Sequence, residues 1–235
     1  MPNREITILL YLSASLFPVI FALNQEGLSL LSWLATFNSS SSANFFSSWD
    51  VTHQNPCKWD YFKCTSGGFV SEITITSINL PPARPSEVLS FNLLTVLVLT
   101  NGNLTGEIPT AMGNMSSLAT VDLSFNALTG MIPPEIGKLP NLRVLSLNSN
   151  SLHGGIPEEI GNCSQLRQLE LFDDQFSVNL PVEISHLNAL EIFRIGGNIG
   201  IHGEIPVEIS KCVNLTILGL ADTGISGQIP HSIGE

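Results

Sequence analysis

The sequence has little charge and few basic residues. Only 12% of its 235 residues are charged, and nine Lys and Arg residues stand against twenty Asp and Glu residues. The resulting formal net charge of -11 argues against a nucleic-acid-binding protein, which needs basic side chains to neutralise phosphates. The four cysteines include a single close pair, and two cysteines do not supply the tetrahedral ligand set of a structural zinc ion. No metal site is therefore predicted.

Catalytic motifs are also missing. The sequence contains neither a Gly-x-x-x-x-Gly-Lys loop nor a His-Glu-x-x-His motif, and its five histidines are isolated and predicted to lie at the surface. Asp173 and Asp174 are adjacent, but two carboxylates on one short turn cannot flank a glycosidic bond, so we interpret them as a solvated turn. We predict that the chain is not an enzyme and binds no cofactor.

The longest apolar run lies at the start of the chain. Arg4 precedes the apolar residues Ile6–Leu23, which are interrupted by small polar residues and a proline. This pattern predicts a secretory signal peptide over residues 1–22, with cleavage after Ala22. An uncleaved membrane anchor is the alternative, although the run is near the lower length limit for spanning a bilayer. Either way, the remainder is predicted to be secreted or to lie on the extracellular side of the plasma membrane.

A repeat dominates the rest of the chain. The pattern Leu-x-x-Leu-x-Leu-x-x-Asn-x-Leu-x-Gly-x-Ile-Pro occurs six times between Leu94 and Pro230, with a period of 24 residues and once of 25. Such self-similarity predicts a leucine-rich-repeat solenoid, an α/β repeat fold. The first apolar anchors of the six copies are Leu94, Leu118, Leu142, Leu166, Leu190 and Leu215.

The Leu-x-Leu segment predicts a strand with one face buried and the other in solvent. Stacked copies then form a parallel sheet on the concave side of the solenoid, about 4.8 Å from strand to strand. An amide side chain ends the strand in three copies, at Asn126, Asn150 and Asn198, and is expected to satisfy backbone groups of the turn. The other three copies carry different residues at this position, namely Gly102, Asp174 and Thr223.

Residues 23–69 are predicted to form an N-terminal cap, and residues 70–93 a degenerate first coil in the same register. Residues Asn24–Asn38 have helical spacing of apolar side chains. In a secreted chain, the close pair Cys57 and Cys64 predicts a disulfide that staples the cap over the edge of the first coil. Residues 94–235 contain the six repeats and end without a capping sequence, so we expect a truncated chain.

The chain also contains two further cysteines and five glycosylation sequons. Cys163 and Cys212 occupy the same position two copies apart, roughly 10 Å from each other and beyond the reach of a disulfide, so both are predicted to be buried free thiols.

Exposed turns of a secreted solenoid are natural glycosylation acceptors. The Asn-x-Ser/Thr sequons are at Asn38, Asn103, Asn114, Asn162 and Asn214.

With no catalytic constellation, the concave face is the predicted functional surface. Residues between and just after the Leu-x-Leu anchors point outward and form a ladder across which an extended peptide can lie; they include Ser124 and Ser146. Two aromatic residues just beyond the strands are unusual in a solvent-facing position. The candidate contacts are Phe125, Asn148, Glu170, Phe172 and Asp222.

The fifth copy is the most distinctive. Arg194 lies between the inward-facing Phe193 and Ile195, so its guanidinium is predicted to point out of the strand. Gly196 and Gly197 place no side chains beside it, which leaves a shallow notch suited to a planar or tetrahedral anion such as carboxylate or sulfate. An ordinary surface arginine beside permissive glycines is the alternative. The extra residue of this copy, near Ile199–Ile201, is expected to distort the turn.

These residues resemble a known family. Asn55-Pro56-Cys57-Lys58-Trp59-Asp60-Tyr61 before Cys64, together with the Leu-Thr-Gly-x-Ile-Pro repeats, is similar to the ectodomains of plant leucine-rich-repeat receptor-like kinases. Phe193-Arg194-Ile195-Gly196-Gly197-Asn198 and the segments around Asn101–Pro109 and Gly219–Gly227 resemble the receptors for root meristem growth factor peptides. The similarity extends from about Leu28 to the end of the chain.

The resemblance implies a cell-surface receptor that binds a small secreted, tyrosine-sulfated peptide on its concave face. In that family the Arg-x-Gly-Gly motif receives the sulfotyrosine, which assigns Arg194, Gly196 and Gly197 to the sulfate. Full-length relatives also have a Ser/Thr kinase and use a co-receptor kinase. The alternative functions are a secreted leucine-rich-repeat inhibitor of cell-wall-degrading enzymes and a structural cell-wall glycoprotein.

Overall fold

The computed structural model describes residues 24–35, 47–49, 55–77 and 91–233. The predicted signal peptide, the sequon at Asn38 and His53 lie outside the described residues. So does most of the link between the first coil and the first full repeat. Among the described residues, helix α1 spans Gln25–Ala35, within the segment whose spacing predicted a helix.

The described residues contain fourteen short strands. In chain order, β1 to β14 are Phe62–Cys64, Val70–Thr76, Val96–Thr100, Thr105–Glu107, Thr120–Asp122, Ala127–Gly130, Val144–Ser146, Ser151–Gly154, Gln168–Glu170, Gln175–Val178, Ile192–Arg194, Gly200–Glu204, Ile217–Gly219 and Gly224–Ser226. Single 3-10 turns follow the proline of the repeats or lie in the cap; they span Pro56–Lys58, Thr110–Asn114, Pro134–Lys138, Glu158–Asn162, Val182–His186 and Val207–Lys211.

The concave sheet has the predicted parallel arrangement. Its eight strands follow the order β1-β2-β3-β5-β7-β9-β11-β13, so each repeat adds one strand beside the previous one. The degenerate first coil keeps the repeat register, because Ile73 pairs with Leu97 and Ile75 with Leu99. Strand β1 pairs antiparallel with β2 and belongs to the cap. The leucine-rich-repeat solenoid is confirmed.

The structure contains a second sheet, which was not predicted from the sequence. Strands β4, β6, β8, β10, β12 and β14 form a parallel sheet of six strands from the residues that follow the asparagine position of each repeat. The sequence signal for it was the apolar residue two positions after that asparagine. Leu128 and Leu152 occupy this position and are fully buried, while Thr129 and His153 beside them are exposed. This alternation is that of a strand with one buried face.

The core runs along the whole solenoid between the two sheets and the 3-10 turns. The anchors Leu94, Leu118, Leu142, Leu166 and Leu190 are all fully buried. In the sixth copy Leu215, Leu218 and Leu220 are only partly buried, because no described coil packs on their outer side. Each coil is therefore stabilised mainly by its neighbours, as expected for a repeat fold.

The strand-ending side chains of Asn126, Asn150 and Asn198 form a row that we call the asparagine ladder. This ladder explains why the turns of successive repeats superimpose. The Nδ2 group of Asn150 donates to the carbonyl oxygens of Leu147 at 2.7 Å and of Leu123 in the preceding repeat at 3.1 Å. Its Oδ1 accepts from the backbone N–H of Leu128 at 3.0 Å. A single partly buried amide thus satisfies donors and acceptors in two repeats at once, and it fixes the position where each strand ends.

The cap is an aromatic cluster closed by a disulfide. Trp49 stacks on Trp59 with ring centroids 5.3 Å apart, and Phe62 packs edge-on against Trp49 at 5.2 Å. Glu26 of helix α1 accepts a hydrogen bond from the backbone N–H of Val70 at 2.8 Å, which ties the helix to strand β2. The predicted Cys57–Cys64 disulfide is present, with Cα atoms 5.5 Å apart.

Removing this disulfide is expected to destabilise the cap. The bond closes a loop with a sequence separation of 7. A Cys57→Ser, Cys64→Ser variant should lose about 2–3 kcal/mol of unfolding free energy, since the open loop gains entropy in the unfolded chain. Chemical denaturation followed by tryptophan fluorescence measures the loss. Adding a reductant should lower the stability of the unmodified protein and leave that of the variant unchanged; equal responses would contradict a structural role.

The two remaining cysteines are buried free thiols, as predicted. Each donates a weak hydrogen bond to a carbonyl of the preceding repeat, Cys163 to Ile136 and Cys212 to Ile184, at 3.3 Å in both cases. Burial raises the pKa of both thiols, that of Cys163 to about 11. Both therefore behave as apolar fillers rather than as reactive groups.

Candidate functional site

Arg194 lies in a row of outward-facing side chains, on the next-to-last strand of the concave sheet. It ends strand β11, between the fully buried Phe193 and Ile195. In the sheet register it pairs with Glu170 of β9 on one side and with Gly219 of β13 on the other. The alternation of the strand therefore places the guanidinium on the concave face, as the sequence predicted.

The guanidinium is not isolated, however. Its Nη1 lies 3.0 Å from Oε1 of Glu170, while 43% of the arginine side chain and 14% of the glutamate side chain remain exposed. The sequence pattern contained this pairing only as a 24-residue separation between two outward-facing positions. Because the repeat length equals that separation, opposite charges at equivalent positions meet across adjacent strands. Arg194 therefore has a carboxylate partner on the concave face that was not predicted from the sequence.

Three glycines surround the arginine, one more than predicted. A Cβ atom on Gly196 would lie 2.8 Å from the backbone oxygen of Ala221, and one on Gly219 would lie 3.0 Å from Cγ of Arg194. Gly197 has a φ of +74°, and a Cβ there would collide with Asp173. The missing side chains let the backbone of the sixth repeat approach the fifth and let the arginine stem lie over Gly219. Gly219 was missed as a site residue because its pairing with Arg194 appears only in the sheet.

The asparagine ladder holds this glycine turn in place. The Nδ2 group of Asn198, which is fully buried, donates to the carbonyl oxygens of Ile195 at 2.7 Å and of Gly196 at 3.2 Å. It also reaches Leu171 of the preceding repeat at 2.8 Å. The turn that carries Gly196 and Gly197 is thus held in place by a buried side chain of the core.

The extra residue of the fifth copy leaves the site intact. Strand β12 begins at Gly200, and Ile199 projects into solvent with 86% of its surface exposed. The distortion is confined to the connection between the two sheets, as predicted. Asn198 keeps its place in the ladder, because its Oδ1 accepts from the backbone N–H of Phe176 at 3.0 Å.

The other candidate contacts divide into accessible and buried residues. Phe125 is 55% exposed and Asp222 is exposed, whereas Phe172 is only half-buried rather than fully open. Asn148, predicted to be accessible, is 2% exposed, and its Nδ2 contacts Oγ of Ser149. Ser124 and Phe172 occupy the equivalent positions of the two flanking repeats. The prediction that Asn148 is exposed is therefore wrong.

Two serines predicted to be accessible are also buried. Oγ of Ser124 donates to Oδ1 of Asp122 at 2.6 Å, and Oγ of Ser146 lies 3.4 Å from Oε2 of Glu170. Their short side chains cannot extend past the longer neighbours on strands only about 4.8 Å away. The accessible concave surface is thus narrower than alternation alone implies.

The two adjacent aspartates differ in their environments, which corrects their interpretation as one solvated turn. Asp173 is exposed, but Asp174 takes the asparagine position of the ladder and is buried. Its Oδ1 accepts from the backbone N–H of Leu152 at 2.8 Å, while its Oδ2 is buried with no hydrogen-bond partner among the described residues. Burial raises the pKa of Asp174 to about 7, although hydrogen bonds from the backbone of Leu152 and Asn150 oppose the rise.

The described surface carries the predicted sequons and isolated histidines. Asn103, Asn114, Asn162 and Asn214 are all exposed, and so are the four described histidines. No group of three His, Cys, Asp or Glu side chains in the described residues is arranged to bind a metal ion. Within the same residues, no helix has the length and apolar character required to cross a bilayer.

Comparisons with known families agree with this architecture. Residues 92–152 match the leucine rich repeat family, and residues 23–65 match the leucine rich repeat N-terminal domain family. The second match covers the segment predicted as a cap. Both matches concern repeats or their cap, and neither is a catalytic domain.

Similar proteins are plant receptor kinases. The leucine-rich repeat receptor-like serine/threonine-protein kinase RGI4 of Arabidopsis thaliana is 44% identical over 93 residues, which are 37% of this chain and 8% of the relative. Among solved structures, the plant peptide hormone receptor RGFR1 in complex with RGF2 is 44% identical with a TM-score of 0.70, covering 76% of this chain and 28% of that one.

A second solved structure is the ectodomain of the receptor kinase GASSHO1/SCHENGEN3 from Arabidopsis thaliana, bound to CASPARIAN STRIP INTEGRITY FACTOR 2. It is 26% identical with a TM-score of 0.77, and covers 89% of this chain and 28% of that one. The chain therefore matches less than a third of the length of these relatives. The chain is a leucine-rich-repeat solenoid that is similar to the ectodomains of plant receptor-like kinases, among them the RGI receptors and RGFR1.

Proposed function

We propose that this chain is an extracellular ligand-binding domain of a plant leucine-rich-repeat receptor kinase, and that its concave face recognises a small tyrosine-sulfated peptide. The observation that carries the proposal is the position of Arg194. Its guanidinium is partly exposed on the concave face, held on one side by Glu170, and bordered by three glycines. The similarity to RGFR1, a receptor solved with the peptide RGF2, supports the same reading.

The chemistry of a sulfate ester fits this arrangement. A guanidinium has five N–H donors, and Glu170 accepts a hydrogen bond from one of them. The remaining donors are available to sulfate oxygens, which accept charge-assisted hydrogen bonds. Gly196, Gly197 and Gly219 have no side chains, which lets Ala221, Asp173 and the Arg194 stem pack closely against them. The sulfate group approaches from the solvent side, where 43% of the Arg194 side chain is exposed.

The rest of the peptide lies along the sheet toward the first repeats. Phe125 offers an exposed aromatic surface three repeats before Arg194, and Phe172 offers part of one in the preceding repeat. Asp222, one repeat after Arg194, can pair with a basic group of the ligand. Asn148 is left out of the proposed contacts because it is buried.

The domain arrangement follows the same proposal. Residues 1–22 are the signal peptide, 23–69 the cap, 70–93 the first coil and 94–235 the six repeats. The product is secreted or lies outside the plasma membrane, where the exposed sequons Asn103, Asn114, Asn162 and Asn214 carry glycans. In a full-length receptor, a co-receptor kinase completes the signalling complex.

Peptide titration of an Arg194→Ala variant tests the proposal. RGF2 is synthesised with its tyrosine sulfated and unmodified, and binding is measured by isothermal titration calorimetry. The sulfated form should bind more tightly to the unmodified protein. The variant should lose about 1.5–3 kcal/mol of binding free energy for the sulfated form, or roughly 10–100-fold in affinity, since a charge-assisted hydrogen bond is lost.

Arg167→Ala is the matched control. Arg167 forms the same kind of pair between the same two repeats, with Nη1 3.0 Å from Oε1 of Glu191, and its side chain is more exposed. The Arg167→Ala substitution removes one positive charge outside the notch. The affinity of this variant for the sulfated peptide should therefore stay near that of the unmodified protein. Equal affinities for the sulfated and unmodified peptides would contradict the proposed function.

A further inference from the structure

Glu170 is the most firmly held charged residue on the concave face. Its Oε1 accepts from Nη1 of Arg194 at 3.0 Å, and its Oε2 accepts from Nε2 of Gln168 at 2.9 Å. Oγ of Ser146, on the neighbouring strand, lies 3.4 Å from the same Oε2. Both oxygens are thus engaged across three adjacent strands, and only 14% of the side chain is exposed. A carboxylate fixed in this way cannot swing aside when a ligand arrives.

This network also determines where an anion can bind. Glu170 occupies one edge of the guanidinium, and the arginine stem lies over Gly219, where a Cβ would approach Cγ of Arg194 to 3.0 Å. The Arg194 guanidinium makes no other hydrogen bond to the described residues, so its remaining N–H groups have no protein partner there. A bound anion therefore shares the guanidinium with a carboxylate that stays in place.

Sharing the guanidinium makes the site sensitive to the charge of the ligand. The Arg194–Glu170 pair has a net charge of zero, and Asp173 and Asp222 add exposed carboxylates in the adjacent repeats. A sulfate ester has one negative charge, whereas a phosphate ester has about 1.5 to 2 at neutral pH, with a second pKa of about 6. The extra charge would lie beside a poorly solvated carboxylate, where screening by water and salt is weak.

We propose that Glu170 is a specificity-determining residue, which orients Arg194 and selects a monoanionic sulfate ester over a dianionic phosphate ester. The inference rests on the proposed function, since it concerns the same site. The inference goes beyond the proposed function because it assigns the selection of sulfate over phosphate to a carboxylate outside the Arg-x-Gly-Gly motif. A guanidinium without this partner would favour the more highly charged phosphate.

The test compares three forms of the RGF2 peptide, with its tyrosine sulfated, phosphorylated or unmodified. At pH 7.5 the unmodified protein should bind the sulfated form at least 10-fold more tightly than the phosphorylated form, a magnitude expected from placing one further charge beside Glu170. Glu170→Gln should reduce this ratio by about 10-fold, mainly through tighter binding of the phosphorylated form. Glu170→Asp keeps the charge and should retain the preference for sulfate.

Two controls separate selection from a purely structural effect. Glu191→Gln removes the carboxylate of the equivalent Arg167–Glu191 pair, outside the notch, and should leave the ratio unchanged. Lowering the pH from 7.5 to 5.5 protonates the phosphate ester, whose second pKa is about 6. This change should reduce the sulfate-to-phosphate affinity ratio of the unmodified protein but not that of Glu170→Gln. Asp122, Asp173 and Asp222 are further carboxylates on this face, and they are present in every variant of this test.

The outcomes distinguish this inference from the proposed function. If the sulfated peptide binds selectively over the unmodified one, but Glu170→Gln leaves the sulfate-to-phosphate ratio unchanged, the role of Glu170 is overturned and the proposed function stands. If the protein binds none of the three peptides, both are overturned. Circular dichroism of each variant verifies that a change in the ratio is measured on folded protein.

Discussion

Phe193→Ala is expected to destabilise the solenoid by about 3–5 kcal/mol, the usual range for removing a buried phenylalanine. Phe193 is fully buried in strand β11, and its partners in the sheet register are Leu169 and Leu218 of the two adjacent coils. Truncation leaves a cavity that rigid neighbouring coils cannot fill, because their strands are held at a fixed spacing by the sheet. Denaturation with urea, followed by circular dichroism, measures the loss.

Phe125→Ala supplies the matched control for this prediction. The substitution is chemically identical, but Phe125 is 55% exposed on the concave face. Its removal should change the unfolding free energy by less than about 0.5 kcal/mol, as is usual for surface positions. A loss at Phe125 as large as that at Phe193 would contradict the placement of the core.

The Phe193→Ala variant should also show how stability is distributed. Because each repeat contacts only its neighbours, a local defect weakens the interfaces on either side of the fifth coil more than those near the cap. Hydrogen exchange should therefore increase in strands β9, β11 and β13 and change little in β3. The effect on peptide binding should follow, since β11 carries Arg194.

Asp174→Asn is expected to stabilise the protein at neutral and alkaline pH and to remove a pH dependence. Asp174 occupies a position where Asn150 and Asn198 each donate hydrogen bonds to three backbone carbonyl oxygens. A carboxylate has no proton to donate, which leaves its Oδ2 buried and unpaired. A protonated carboxyl or an amide can make such a bond, so the folded state favours the neutral form.

The pH dependence follows from the raised pKa. Burial is the largest cause, and it raises the pKa of Asp174 from 3.8 to about 7, with a smaller contribution from the neighbouring Asp173. The folded state therefore binds the proton more tightly than the unfolded state. The stability associated with this proton is fully present below pH 3.8 and is lost as the pH rises to about 7. The loss amounts to at most about 1.4 kcal/mol per pH unit within that window.

Unfolding free energies measured from pH 4 to pH 8 test this expectation. Asp174→Asn should be more stable than the unmodified protein by on the order of 3 kcal/mol at pH 8, and the difference should shrink toward pH 4. Asp173→Asn, at the exposed neighbouring position, should retain most of the pH dependence. Parallel pH curves for the unmodified protein and Asp174→Asn would show that the Asp174 carboxyl does not titrate in this range.

Much of the fold could be predicted because the six copies of the repeat can be aligned with one another. Six copies superimposed by a 24-residue period identified the inward anchors, the outward positions and the strand-ending amides, and the structure confirms the parallel sheet and the ladder. The disulfide Cys57–Cys64 was predictable because two cysteines seven residues apart have few other partners in a secreted chain.

The second sheet was less accessible to sequence reasoning. Its strands are three to five residues long, so their alternation covers too few positions to distinguish a strand from a turn. Their pairing depends on the next coil placing the same residues one strand spacing away. That spacing is decided by the stacked core and not by any one copy of the repeat.

The sequence by itself determined which face of the solenoid each residue lies on, because Leu-x-Leu alternation and a constant repeat length leave one arrangement that buries the leucines. Only the tertiary structure decided which of those outward residues are accessible and which are paired. Asn148 is shielded and Arg194 is held by Glu170 because side chains from separate repeats meet at a spacing of about 4.8 Å. Such contacts depend on the lengths of neighbouring side chains, which a pattern read along one strand does not contain.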